Sequence, residues 1–196
     1  MLKKTAILFC ALMLATAAEA SAQTLNVAKQ GDKAVLFNFN GLSALNLTAY
    51  QGGLGGKYFI EDNLAVRGML LFGMNNQTTG GTPEITNDNM TFGISAGIED
   101  HLPLTSQISP YVGGVLSFQT TAGTTNSGIG ISKTTTTVFG LGAVGGIEYF
   151  FNQNLSLSAE YQFGFNSTNS TSSGASNQSD FTLGFQTVGL TLAAYF

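Results

Sequence analysis

Apolar and polar residues alternate with a period of two along most of the chain after Lys33. The clearest case is LSLSAEYQFGFN at residues 155–166, where every second residue from Leu155 to Phe165 is apolar and the intervening residues are polar or glycine. Alternation over twelve residues is typical of a strand with one apolar face, whereas helical spacing would scatter these positions around the axis. The pattern therefore predicts an all-β protein.

Eight segments follow this pattern, and most of them are long. We predict strands at about 33–40, 48–60, 64–75, 89–99, 109–121, 135–150, 155–166 and 180–196. Strands of soluble proteins usually have about five or six residues, whereas a strand that crosses a membrane needs about 9–11. The lengths predict an eight-stranded antiparallel up-and-down transmembrane β-barrel.

The predicted connections alternate between short and long. Those near 61–63, 100–108 and 151–154 are short; the one near 41–47 is the exception, a short connection on the same side as the long ones. The longer ones, rich in Thr, Ser, Asn and Gly, lie near 75–88, 122–134 and 167–179. Bacterial outer-membrane barrels place short turns in the periplasm and long loops outside the cell. The alternation therefore predicts polar outer loops and periplasmic turns.

Two similar heptads, YFIEDNL at residues 58–64 and YFFNQNL at residues 149–155, occupy two of the short connections. We interpret each as a periplasmic hairpin turn in which the final leucine begins the next strand. Aromatic side chains favour the membrane–water boundary. The predicted membrane-interface aromatics are Tyr58, Phe59, Tyr149, Phe150 and Phe151.

Charged residues within the strands fall on the face opposite the apolar one. With the apolar faces turned to lipid, the inward-facing charged residues are Lys57, Arg67, Glu99, Glu148 and Glu160. The interior of an eight-stranded barrel is filled by side chains, and an unpaired buried charge costs several kcal/mol. We therefore expect these residues to form an ion-pair network that plugs the lumen near the periplasmic side.

The last segment combines an aromatic end with apolar residues at every second position. These positions are Val188, Leu190, Leu192, Ala194 and Phe196. This pattern resembles the C-terminal signal of outer-membrane β-barrels, and the resemblance implies recognition by the barrel-assembly machinery. The chain departs from it in Tyr195, which falls on the inward phase. Because Phe181 and Leu183 have the opposite parity from Val188, we also predict a one-residue β-bulge near 184–187.

Three further segments, AVLFNFNGLSALNL, GGLGGKYFIEDNLAVRG and YVGGVLSF, resemble the small outer-membrane barrels grouped with OmpX and the OmpA membrane domain. The resemblance covers most of the chain after the N-terminal region. It implies an eight-stranded monomeric barrel in contact with outer-membrane lipid, and it implies no particular activity.

The N-terminal region has the features of a signal peptide. Lys3 and Lys4 precede the apolar stretch TAILFCALMLATAA, and Ala20-Ser21-Ala22 has the small-x-small pattern of a cleavage site. We therefore predict a signal peptide at 1–22, a periplasmic N-terminal segment at 23–32 and the barrel at 33–196. Export in this form predicts location in the bacterial outer membrane.

Composition argues against several other classes. Without Lys3, Lys4 and Glu19, 5 basic and 10 acidic residues remain, which is not the charge of a nucleic-acid-binding protein. The single histidine, His101, is expected in a solvated periplasmic turn, and no Cys/His cluster indicates a metal or other cofactor. No Ser-His-Asp set can be assembled from the sequence, so we do not expect an enzyme.

The sequence thus favours an integral outer-membrane protein with a structural or surface-interaction role, displayed through polar loops above a plugged lumen. A narrow pore for small solutes or ions is the first alternative. A soluble secreted barrel that binds a ligand is the second, and the inward-facing charges argue against it because such a barrel would need an apolar lumen.

Overall fold

The structure, a computed structural model, describes residues 28–40, 49–102, 107–128, 130–173, 176–185 and 188–196. These form nine antiparallel strands: β1 (Lys33–Asn40), β2 (Ala49–Glu61), β3 (Leu64–Thr79), β4 (Ile85–His101), β5 (Ile108–Asn126), β6 (Ile131–Asn152), β7 (Leu155–Ser172), β8 (Gln178–Phe185) and β9 (Gly189–Tyr195). Within the described ranges, no helix has the length and apolar character to cross a membrane.

The strands close into a ring. Strands β1 to β7 pair in chain order, β7 pairs with β9, and β9 returns to pair with β1. Strand β8 pairs with the far half of β7, so β8 and β9 are successive halves of the single last strand predicted at 180–196. The all-β barrel is confirmed, with eight strand positions in the ring and nine separate strands.

The division of the last strand coincides with a register change. Phe163 of β7 pairs with Phe185, whereas Glu160 of β7 pairs with Gly189. Between these two pairs the register therefore shifts by one residue, as a β-bulge would shift it; the bulge predicted near 184–187 lies partly outside the described residues. Because of this offset, Phe181 and Val188, which have opposite parity, are both exposed.

The two similar heptads form matching hairpin turns. Strands β2 and β3 join through Asp62-Asn63, and β6 and β7 join through 153–154. In each case the register shifts by one residue just before the turn, after Phe59 and after Phe150. Asn63 has a φ of 69°, a left-handed conformation that asparagine tolerates. We call this side of the barrel the turn end.

The opposite side of the barrel has longer strands than predicted. The segments 75–88, 122–134 and 167–179, expected as loops, are largely paired strand, and the connections shrink to 80–84, 127–130 and 173–177. Threonine favours strands because it is β-branched. Hydroxyls also bond across strands here, as at Thr134–Ser172 and Thr136–Ser170, both at 3.0 Å. We call this side the hairpin end.

An apolar band surrounds the middle of the barrel. On β3 it runs from Val66 to Met74 and on β4 from Met90 to Ile98, with exposed apolar side chains at alternate positions. Nine residues span about 30 Å along a strand, close to the ~25 Å lipid-facing band of tilted membrane strands. Past Met74 and Met90 both faces of this hairpin are mainly polar.

Residues 28–32, directly before β1, are bound to the turn end. The Asn63 amide donates to the Ala28 carbonyl at 2.9 Å, and the Gly31 amide donates to the Phe59 carbonyl at 2.9 Å. Ala28 is buried against the apolar cluster inside the barrel. The described part of the predicted periplasmic segment therefore lies across the opening at this end.

Candidate functional site

Five charged side chains meet inside the barrel near the turn end. Strand register places Lys57 directly opposite Arg67. Lys57 Nζ lies 2.8 Å from Glu99 Oε2 and 3.0 Å from Glu148 Oε2. Arg67 Nη1 lies 2.8 Å from Glu99 Oε1, and the guanidinium binds Glu160 through both nitrogens at 2.6 and 3.1 Å. The structure thus brings together all the residues of the predicted network.

The network contains three carboxylates and two strong cations. Neutral donors add hydrogen bonds to Glu148 and Glu160, whereas Glu99 Oε1 lies near Arg67 Nη1 without a hydrogen bond. Glu148 Oε1 accepts hydrogen bonds from the Ser156 hydroxyl and, at 2.8 Å, from the Tyr195 hydroxyl. Glu160 accepts from the Tyr111 hydroxyl at 3.0 Å and from Gln162 Nε2 at 2.8 Å. Buried charges are tolerated when partners of this kind fill their hydrogen-bonding capacity.

Sequence reasoning missed these neutral donors. All four stand on the inward phase of their strands, and that parity could have identified them. Ser156 and Tyr195 in particular lie on neighbouring strands close to the turn end.

His101 belongs to the same cluster, and its expected position in a solvated turn was wrong. Strand β4 continues to His101, whose parity points it inward, and only 1% of its surface is exposed. Nδ1 lies 3.0 Å from Ser109 Oγ and Nε2 lies 3.3 Å from Glu99 Oε2. The imidazole stacks on the Tyr111 ring at a centroid distance of 5.1 Å.

The contacts connect Ser109 to His101 and His101 to Glu99, the same order in which a catalytic triad connects its nucleophile, base and carboxylate. Ser109 has no exposed surface, and its hydroxyl lies 3.5 Å from the Leu102 carbonyl. A nucleophile must contact a substrate carbonyl, and in this conformation none can reach Ser109 Oγ. The three residues are arranged to anchor Glu99 inside the barrel.

An aromatic layer covers the network on its turn-end side. Phe59 and Phe150 have no exposed surface, and the Tyr195 ring lies 6.5 Å and 5.5 Å from them. The prediction that both phenylalanines lie at the membrane interface was wrong. Consecutive strand residues point to opposite faces, so Phe59 and Phe150 turn inward when Tyr58 and Tyr149 turn outward.

The remaining predicted interface aromatics lie on the outer surface. Tyr58 and Phe151 are exposed, while Tyr149 is half-buried and its hydroxyl donates to Gln107 Oε1 at 2.9 Å. Tyr149 and Phe151 contact each other edge to face at 5.2 Å. These three rings therefore lie near the turn end, on the outer faces of β2 and β6.

Gly146 leaves the space in which Tyr111 reaches the network. A Cβ at this position would overlap the Tyr111 ring, whereas a Cβ at the neighbouring Gly145 would meet nothing within 4 Å. The absence of a side chain at Gly146 thus fixes the position from which the Tyr111 hydroxyl binds Glu160.

A cavity of about 460 Å³ lies above the network toward the hairpin end. The bonded pair Arg67–Glu160 forms part of its lower wall. Among the described residues, the polar uncharged side chains around it are Asn38, Thr91, Ser95, Ser117, Gln119, Thr121, Gln162 and Asn166. The barrel interior therefore has a charged, filled lower part and a neutral, open upper part.

A closed β-ring with an apolar outer band and a polar interior is the architecture of outer-membrane barrels. The chain matches the model of the outer membrane protein beta-barrel domain over residues 7–196. It belongs to this family.

Solved structures of the same fold include a major outer membrane protein from Thermus thermophilus. That protein is 12% identical, with a TM-score of 0.56, covering 85% of this chain and 100% of the other. Ail, the attachment invasion locus protein of Yersinia pestis, is 15% identical with a TM-score of 0.52, covering 85% of this chain and 99% of the other. No curated protein matches the chain significantly.

In this outer-membrane barrel the last strand has the two faces expected from its sequence. Val188 and Phe196 are exposed, and Leu190, Leu192 and Ala194 are half-buried on the same face. Tyr195 points inward, as its parity indicated, and binds Glu148. The outward face of β9 thus contributes to the apolar band while its inward face joins the network.

Proposed function

We propose that this outer-membrane protein is a non-conducting barrel whose role is structural and interactive, exercised through the polar strands and connections of its hairpin end. The observation that supports this most directly is the burial of the network across the lumen. Glu99 and Glu148 are each 1% exposed, and Lys57 and Arg67 are 6% and 8% exposed. Ions could pass only by displacing these side chains from one another.

Two layers below the network support the same proposal. Phe59, Phe150 and Tyr195 form an apolar layer at the turn end, and Ala28 is buried against it. Opening a path would require separating ion pairs in a low-dielectric interior, which is strongly unfavourable, and then moving the aromatic layer. The pore is therefore the less favoured function for this chain.

The proposed partners follow from the outer surface. The apolar band faces outer-membrane lipid, the alternating face of β9 that ends at Phe196 is recognised by the barrel-assembly machinery, and the barrel works as a monomer. No cofactor, nucleic acid or catalytic step is part of this proposal.

Planar-bilayer recording of the purified barrel tests the central point. We expect no steady current from the natural protein or from Asp88→Ala, which changes an exposed charge near the hairpin end. Steady single-channel current from the natural protein that is altered in Glu148→Ala would overturn the proposal in favour of the pore.

A fluorophosphonate probe tests the proposed lack of catalysis, because such probes label activated serines. We expect Ser109 to remain unlabelled in the folded barrel, with Ser109→Ala as the matched control. Labelling of the natural protein that disappears in Ser109→Ala would show that Ser109 is accessible and activated, contrary to the proposal.

The proposed assembly signal is tested in cells. We expect Phe196→Ala to lower the amount of folded barrel in the outer membrane, measured by heat-modifiable gel mobility. The control is Phe151→Ala, which removes another exposed phenylalanine far from the last strand in sequence. Equal loss in both variants would contradict a specific role for Phe196.

A further inference from the structure

The cavity between the ion-pair network and the hairpin end is lined mostly by uncharged side chains. Its only charged residues in the described part of the chain, Arg67 and Glu160, are bound to each other through two hydrogen bonds. The pair presents little net charge to the space above it. A charged ligand would therefore gain no unpaired partner from the cavity floor.

Amide and hydroxyl groups cover much of the wall. One register row across four neighbouring strands contains Ser95, Ser117 and, after Gly140, Asn166. The next row toward the hairpin end carries Gln119, and the following one carries the Thr91–Thr121 pair, bonded at 2.8 Å. Side-chain amides offer both donors and acceptors, and hydroxyls offer either role, so the wall suits a ligand with many hydroxyl groups.

Apolar side chains interrupt this polar wall. Met69, Leu71, Val115 and Val138 also border the cavity. A surface that mixes amides, hydroxyls and aliphatic groups complements a sugar ring, which has hydroxyls at its edge and C–H groups on its faces. A purely polar solute would leave the aliphatic groups without a partner, and a purely apolar one would make no hydrogen bonds with the amides and hydroxyls of the wall.

The size of the cavity fits one or two such rings. A volume of about 460 Å³ lies within the range of ~300–1,000 Å³ found for small-molecule sites and equals that of about 15 liquid waters. The inward-facing residues above it, among them Asn75, Asn89 and Thr136, are half-buried, so the space is continuous with the hairpin end.

From these features we propose that the cavity is a binding site for a neutral saccharide of one or two rings, held by Ser95, Ser117, Gln119 and Asn166. The site would receive either a free sugar or the terminal ring of a surface glycan, since both present the same hydroxyl pattern. The proposal goes beyond the closed-barrel function, because the cavity lies above the network whether or not the network conducts.

Titration of the isotope-labelled barrel with glucose and with maltose, followed by amide chemical shifts, tests the proposal. The barrel is held in lipid nanodiscs, because a maltoside detergent would compete for the site. We expect saturable shifts confined to the cavity residues, and much weaker shifts with glucuronate or glucosamine. An oligosaccharide of the same sugar distinguishes the two sources, since a terminal-ring site binds it as well as maltose.

Two consecutive residues supply matched variants. Ser95→Phe places a ring inside the cavity, while Ala96→Phe places the same ring on the exposed face of β4. We expect Ser95→Phe to abolish the saturable shifts and Ala96→Phe to leave them unchanged. If Ser95→Phe does not fold, Gln119→Ala serves instead and should weaken binding at least fivefold.

Saturable binding that survives Ser95→Phe, preferential binding of a charged sugar, or the absence of saturable shifts with both neutral probes would each overturn the proposal. Bilayer recordings on the same preparations test the proposed closed barrel independently of saccharide binding. A conducting barrel could still bind maltose, and a silent one could fail to bind it.

Discussion

The two halves of the barrel interior follow different rules. In the turn-end half, the chain packs charged groups and aromatic rings with almost no exposed surface, and each carboxylate has several partners. In the hairpin-end half, the inward residues are mainly Ser, Thr, Asn and Gln and are half-buried. In the turn-end half, the loss of one side chain leaves buried partners without their hydrogen bonds. In the hairpin-end half, water can replace a lost hydrogen bond. Stability should therefore depend on the turn-end half.

The largest expected effect comes from Glu148→Ala. It removes one of two carboxylates from Lys57 and leaves the Ser156 and Tyr195 hydroxyls without their acceptor. Breaking a buried ion pair on one side costs about 3–5 kcal/mol. We expect a loss of that size in the free energy of unfolding, measured by urea titration with gel mobility and circular dichroism. A change below about 1 kcal/mol would show that the network contributes little.

Phe150→Ala and Phe151→Ala compare the two faces of one strand. Phe150 is fully buried in the aromatic layer, while 49% of Phe151 is exposed. Removing a buried phenylalanine costs about 3–5 kcal/mol because a cavity remains. We expect that loss for Phe150→Ala and a clearly smaller one for Phe151→Ala in the same urea titration. The opposite order would place Phe150 on the outside after all.

A smaller effect is expected where a single methyl group is added. Gly146→Ala would push against the Tyr111 ring, whereas Gly145→Ala meets open space. Overpacking of a filled interior typically costs about 1–3 kcal/mol. We expect such a loss only for Gly146→Ala, together with a shifted Tyr111 ring signal in NMR spectra. Equal behaviour of the two variants would mean that Tyr111 is free to move aside.

The smallest effect is expected in the hairpin-end half. Thr136→Ala removes one hydroxyl bond to Ser170 at a half-buried position that water can reach. Substitutions at such sites usually change stability by about 0.5 kcal/mol or less. A loss comparable to that of Glu148→Ala in the same titration would show that the two halves do not differ as described.

Sequence periodicity was sufficient for the parts of the molecule that repeat. Alternation gave the all-β ring and the inward positions of Lys57 and Glu160, since parity alone decides which face a strand residue occupies. The bulge in the last strand followed from the same parity, because Phe181 and Val188 had to share one face.

Other features could not be read from periodicity. The true ends of the strands at the hairpin end were missed. A change to polar residues shows where the chain leaves the lipid, but the strands continue to pair beyond that point. The buried position of His101 was missed because β4 continues two residues beyond the predicted end at 99, which places His101 on the inward face instead of in a turn. Tyr111 reaches Glu160 only because Gly146, its neighbour on the adjacent strand, has no side chain. The apolar–polar pattern of a single strand does not contain such a cross-strand relation.

The long β5–β6 hairpin has one more consequence. It continues eight residues past the Phe118–Phe139 pair, or about 26 Å, and half of the sixteen paired residues in this extension, 119–126 and 131–138, are threonine. In the proposed orientation, a phage, an antibody or a neighbouring cell arriving from outside would meet this ribbon before the bilayer, and Lys133 is its one charged residue among those described. Attachment through neutral hydroxyls would change little with ionic strength, since screening acts on charges, and so would persist in fresh water and in brine alike.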